Sequence, residues 1–232
     1  MAKRVLRKVE RPAAMTFNEV TKAAAKHAES AVKITVDNFK RKYVYDEDDV
    51  TGFLVGSLQT TFHGTRVGGV TLNASVFRHR RGTAAEETRF GADILIHVTM
   101  DTPTQKYSKG VLVQAKKSEP DDNWSQRTRN ALIDQCNKML AVTSAAFVFN
   151  YSEKGIRCGA ATRVAGASNA FSIPYLCGWS AYRFFLELFR CPIGDPRISS
   201  ARVGDLPEPN IPFVVELSLK GELAIDEGSS TF

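Results

Sequence analysis

The chain has 232 residues, of which 43% are apolar and 9% aromatic, enough for one substantial hydrophobic core. Its 31 Lys and Arg against 25 Asp and Glu give a formal charge of +6, which favours a polyanionic partner without naming one. No segment approaches the roughly 18 to 20 apolar residues of a bilayer-spanning helix, and no apolar stretch follows the cationic N-terminus as a secretory leader requires. Cys136, Cys158, Cys177 and Cys191 show neither C-x-x-C spacing nor nearby His pairs, which argues against zinc and disulfide frameworks and for reduced core thiols in a cytoplasmic protein.

Residues 1 to 15 read as a basic N-terminal arm. Residues 16 to 42 read as a helix capped by Thr16, with Phe17, Val20, Ala24, Ala31 and Ile34 on its apolar face. A second helix begins in the acidic run Asp46-Glu47-Asp48-Asp49, ahead of the stripe Val50, Phe53, Leu54 and Leu58. Carboxylates in a first turn are stabilised by the helix dipole alone, so this cluster has a structural explanation as well as a chemical one.

Residues 70 to 78 alternate as a strand does, and Arg78-His79-Arg80-Arg81-Gly82 reads as a basic turn whose Arg78, Arg80 and Arg81 could grip a nucleic-acid phosphate. Three apolar runs follow, Ala92 to Val98, Gly110 to Ala115 and Ala145 to Phe149, with a helix from about Gln126 to Leu140 between the last two. This order predicts an α/β fold in which a hairpin is followed by a crossover to a parallel strand. His97, in a strand of alternating Ile and Val, is expected to face solvent. Trp179 to Phe189 reads as an aromatic core helix, 192 to 210 as a Pro-containing loop and Phe213 to Leu219 as a last strand.

Chemistry concentrates in Gly91-Ala92-Asp93 and Gln114-Ala115-Lys116. On a strand, side chains two apart share a face, so Gln114 and Lys116 point one way and Ala115 the other. If the two strands pair as a hairpin, an acid, an amide oxygen and an ammonium gather at one point, a set suited to a hard cation and a phosphodiester. A strand that simply emerges into solvent as Lys116-Lys117 is the plainer alternative. Asp93, as a site acid, is expected to be exposed.

The Gly-Ala-Asp of one strand followed by Val-Leu-Val-Gln-Ala-Lys-Lys on the next resembles the PD-(D/E)XK, or restriction-endonuclease-like, nuclease superfamily. Within it the likeness is to the Mrr-like branch, where Q-x-K often replaces D/E-x-K. It covers Asp46 to Arg163, roughly half the chain, and includes an acid opening a helix ahead of the core and a helix after the Lys. The resemblance implies a restriction-endonuclease-like core, a central mixed β-sheet flanked by helices, within 16 to 165, with 166 to 232 as a C-terminal extension packed on it.

It further implies an Mg²⁺- or Mn²⁺-dependent endonuclease in which Asp93 is the principal metal ligand, Gln114 and the Ala115 carbonyl complete the strand's contribution, and Lys116 is the catalytic lysine. Glu47 would be the acid of the first helix, with Asp48 or Asp49 as alternatives, and Gln135 would face the site from the later helix unless it is merely solvated. DNA is the favoured substrate and RNA stays open. The implied setting is restriction or anti-phage defence in a bacterium, with a homo-oligomer or a regulatory partner protein and no membrane. The alternative is a non-catalytic nuclease-fold subunit that binds nucleic acid or serves as a scaffold, since Gln114 supplies one anionic ligand fewer.

Overall fold

The computed structural model describes residues 13–78, 90–119, 122, 124–167, 172–203, 206–207 and 211–225. Most of the basic arm, together with Arg80 and Arg81, lies outside these residues.

Helix α1 (Phe17–Lys40) starts at a capping box in which Thr16 and Glu19 satisfy each other's backbone N–H groups. Its buried face runs through Val20, Ala24, Ala28, Ala31, Thr35 and Phe39, and the abundant Ala lets α2 (Glu47–Phe62) approach closely. Ile34 is 44% exposed, because the true stripe passes through Thr35 and Val36 instead. The buried Thr35 hydroxyl donates to the Ala31 carbonyl one turn back, which removes the cost of placing it there.

The strands are β1 (Thr65–Val67), β2 (Val70–Arg78), β3 (Ile94–Asp101) and β4 (Lys106–Lys117), followed by α3 (Gln126–Leu140). Then come β5 (Ala146–Ser152), β6 (Gly155–Ala160), α4 (Ala161–Ala165), α5 (Ile173–Leu176), β7 (Trp179–Ser180) and α6 (Ala181–Phe189). Short strands β8 (Ile198–Ser199), β9 (Arg202–Val203) and β10 (Leu206–Pro207) precede β11 (Phe213–Gly221). The fold is therefore mixed α/β, with an eight-stranded sheet in the order β1-β2-β11-β3-β4-β5-β6-β7. Strands β3 and β4 form an antiparallel hairpin, and β5 lies parallel to β4 after the α3 crossover.

Strand alternation divides the core into two layers. Ile94, Ile96, Val111, Val113, Ala115, Phe147, Phe149 and Val215 face α1, α2 and α6, whereas Leu95, Leu112, Val148 and Val214 face α3, α4 and α5. On the first side Phe184 packs edge-on against Phe147 and Phe149, with ring centroids 5.1 and 4.9 Å apart. Each such pair contributes on the order of 1 kcal/mol beyond the area it buries.

Several expectations need correction. The C-terminal segment is woven into the core, not laid upon it, because β11 sits between β2 and β3 as an interior strand parallel to β3. Trp179 belongs to an edge strand, and the aromatic helix begins at Ala181, where Ser180 caps it. Within 192 to 210 the chain forms a small three-stranded sheet whose Ile198 and Val203 are buried. His97 is inside, only 7% exposed, and Cys191 is exposed while the other three cysteines are buried. Among the described residues no helix is long and apolar enough to cross a membrane.

Candidate functional site

The start of β3, the end of β4 and the first turn of α2 meet at one edge of the fold, and their local sequences explain why. Gly91 has φ +67°, and a Cβ there would stand 2.8 Å from the Gln135 Cα, so only glycine lets the chain pass this close beneath α3. Ala92 is then fully buried on the α3 side, and Asp93 turns onto the hairpin. The Asp93 N–H donates to the Val113 carbonyl at 2.9 Å, extending the ladder by one residue beyond β3.

There the side chain replaces the ladder. Asp93 Oδ2 accepts the Ala115 N–H at 2.8 Å and also accepts from Gln114 Nε2. The same Gln114 nitrogen donates to the Ala115 carbonyl at 3.0 Å. Asp93, Gln114 and the Ala115 carbonyl thus gather about one amide nitrogen, while the Gln114 Oε1 is buried without a hydrogen-bond partner among the described residues. Asp93 is 5% exposed, and it anchors the end of the hairpin where an exposed acid was expected.

Lys116 shares the face of Gln114, as alternation requires, and its ammonium lies 3.0 Å from Glu47 Oε1. The other Glu47 oxygen accepts the Lys117 N–H at 2.9 Å, so one carboxylate holds two consecutive residues of β4. Lys117 itself turns away, donating to the Tyr45 carbonyl at 3.2 Å with its ammonium 4.6 Å from the Tyr45 ring centroid. Burial pushes the thiol of Cys136 on α3 up to about 12, and the nearby Lys116 charge pulls in the opposite direction.

The remaining predicted residues are more dispersed. Asp48 and Asp49 line a neighbouring groove of about 500 Å³ with Tyr43, Phe53, Arg78 and Phe213, and Glu47 is the acid that meets Lys116. Arg78 ends β2 with its guanidinium 5.3 Å from the Phe213 ring centroid, and the Phe213 N–H donates to the Asp93 carbonyl at 3.1 Å. That places Arg78 two strand spacings, roughly 10 Å, from the hairpin. Gln135 supports the site through its backbone beneath Gly91, and its side chain is half-buried.

Two residues escaped the sequence reading. Asn150, the register partner of Lys116 on β5, is 1% exposed, donates to the Ser118 carbonyl at 3.0 Å, and leaves its Oδ1 without a partner among the described residues. Its signal was an amide directly after the apolar run Ala146 to Phe149. Tyr151 is fully buried; Thr51 Oγ1 lies 3.1 Å from its hydroxyl and donates to the Glu47 carbonyl, placing the phenol beneath the first turn of α2. Burial is the main cause that raises the Tyr151 pKa, with Asp93 and Glu47 adding to it, so the hydroxyl keeps its proton.

Among the described residues no three His, Cys, Asp or Glu side chains cluster as a ready metal site. The donor set is instead one carboxylate, one amide and one carbonyl, with Glu47 alongside on Lys116. Compared with protein-family models, curated proteins and solved structures, the chain finds no match.

Proposed function

We infer that this chain is a metal-dependent nuclease with a restriction-endonuclease-like core, hydrolysing phosphodiester bonds in DNA within restriction or anti-phage defence. The observation that carries the reading is the gathering of Asp93, Gln114 and the Ala115 carbonyl at one point, with the Lys116 ammonium on the same face of β4. A strand merely emerging into solvent would not bury Gln114 completely or hold Lys116 on a carboxylate from another element.

The donors fit Mg²⁺ or Mn²⁺, since all are hard oxygen groups once the Gln114 amide presents Oε1, the atom without a partner among the described residues, toward Asp93 and the Ala115 carbonyl. When bound, such an ion polarises the phosphate and lowers the pKa of its water. Asp93 supplies the fixed negative charge at that point, and the Ala115 N–H holds its carboxylate in place. Lys116, steadied by Glu47, places a cation where negative charge grows on the phosphate oxygens in the transition state. Arg78 and the mild positive charge of the chain supply backbone contacts that position DNA without reading its sequence.

A non-catalytic binding or scaffold subunit is the second reading, favoured by one detail: Gln114 directs its N–H group at Asp93, which partly satisfies that acid without a metal. Incubation with supercoiled, linear and single-stranded DNA and with RNA, each with Mg²⁺, Mn²⁺ or EDTA, separates the two. The expected outcome is metal-dependent cleavage of DNA that disappears in Asp93→Asn. Asn is preferable to Ala here, because Ala would orphan two buried donors at about 1 to 3 kcal/mol each. A folded protein that binds DNA and cuts nothing under either metal is the scaffold subunit.

A further inference from the structure

Helix α1 carries more charge than its role in the core requires. At 100° per residue, Lys22, Lys26, Lys33 and Lys40 fall within about 40° of one another, and all four are exposed. They form a stripe about 27 Å long at the helical rise of 1.5 Å per residue. Glu29 and Asp37 interrupt it, and Glu29 lies 3.6 Å from Lys33.

Towards the C-terminal end of α1 this stripe becomes one wall of a groove of about 440 Å³, whose other wall is the start of β6 and the first residues of α6. Its floor is apolar, with Val36 and Ile156 buried, and its rims bear Lys33, Lys40, Lys154 and Arg157. Four cations against the two carboxylates leave the groove positive. Neither Lys40 nor Lys154 has a role in packing, as both are exposed.

A run of side-chain contacts leads from the candidate site toward the groove. Lys117, next to Lys116, has its ammonium 5.7 Å from the Phe39 ring centroid, and Lys42 approaches the same ring at 5.5 Å. Lys42 bonds Glu153 at 2.5 Å, and Glu153 adjoins Lys154 in the β5–β6 turn. A polyanion leaving Lys116 across this end of α1 reaches the groove past two carboxylates, Glu153, which Lys42 pairs, and Glu119, which accepts the Glu153 N–H at 2.6 Å.

We propose that the groove between α1 and β6, extended by the lysine stripe of α1, binds the phosphate backbone of DNA outside the scissile position. It rests on the nuclease reading for its substrate and adds the path that the substrate takes. The groove offers cationic side chains on an apolar floor, so it holds backbone and reads no bases.

The test uses full-length Asp93→Asn protein and a labelled duplex longer than the groove, with affinity measured from about 50 to 200 mM salt. Replacement of Lys33, Lys40 and Lys154 together by Gln should flatten the slope of log affinity against log salt by about 2 to 3, at about 0.9 for each phosphate no longer neutralised, and weaken binding roughly 10- to 100-fold at low salt. Arg at the three positions should restore both, and Lys220→Gln, at the far end of β11, should change neither. Unchanged affinity and slope in a folded triple variant overturn the proposal, as does stronger groove-dependent binding to RNA or to an acidic protein. Cleavage by the otherwise wild-type protein is scored separately. Groove-dependent DNA binding without cleavage removes the nuclease and keeps the groove, whereas cleavage with groove-independent binding does the reverse.

Discussion

Strand β4 presents two lysines near its ends in opposite circumstances. Lys109 is 5% exposed, its ammonium donates to the Ile193 carbonyl at 2.6 Å, and its stem packs against Gly194. Burial lowers its pKa, with Cys191 acting in the other direction. Lys116 is partly open to solvent and rests on the Glu47 carboxylate. Odd and even positions of a strand face opposite layers, so Lys109 is committed to the α1 and α6 side and Lys116 to the face of Gln114. A lysine satisfied by a main-chain carbonyl is part of the architecture. One held by a single carboxylate at a polar cluster keeps a charge available to a ligand.

The largest expected effect breaks the pair at its chemical end. Lys116→Ala should lower single-turnover cleavage on the order of 10²- to 10³-fold while DNA and metal binding persist, because its charge acts in the transition state. Lys117→Ala should cleave at close to the parent rate, since its ammonium is engaged with Tyr45. A dead Lys117→Ala beside an active Lys116→Ala would show that the wrong lysine has been assigned.

Breaking the other end should change stability and leave rate alone. Lys109→Ala removes a buried stem and orphans the Ile193 carbonyl, for an expected loss of about 2 to 3 kcal/mol in urea unfolding. Cleavage per folded molecule should be unchanged. A variant that keeps parental stability but loses activity would mean that Lys109, too, belongs to the chemistry.

The contrast between these lysines also marks what the sequence could reveal. Helical periodicity located α2 and placed α3 at Gln126–Leu140, and alternation alone put Gln114 and Lys116 on one face and Ala115 on the other. Glu47 stood out from Asp48 and Asp49 by lying three residues ahead of the buried Val50. Strand order was not legible: nothing local to Phe213–Gly221 says that it inserts between β2 and β3, because a buried edge strand and a buried interior strand have the same apolar pattern. The burial of Asp93 was hidden for a related reason, since its partner Ala115 N–H is a backbone group with no signature in the residue type.

His97 gives the smallest and most specific test, and it extends the comparison to a second buried base beside Lys109. Its sequence context points to the surface, yet β11 covers it: Glu216 pairs with it in register, its Nε2 lies 2.8 Å from Ser108 Oγ, and its Nδ1 lies 3.8 Å from Glu216 Oε1. Burial lowers its pKa below the ordinary 6.5 and outweighs the opposing pull of Glu216. The folded state therefore binds this proton less readily than the unfolded state does. Its contribution to stability is complete above about pH 6.5 and is lost as pH falls through the unfolded value and then the folded one. His97→Gln, which keeps a hydrogen-bonding group toward Ser108, should remove that part of the acid-side decline. The parent should lose stability relative to the variant between about pH 7.5 and pH 5 in urea unfolding, with the two midpoints converging or crossing as the imidazole is forced to charge. Parallel curves would mean that His97 titrates alike in both states. A parent that gains on the variant at acid pH would mean that the Glu216 ion pair, not burial, governs this site.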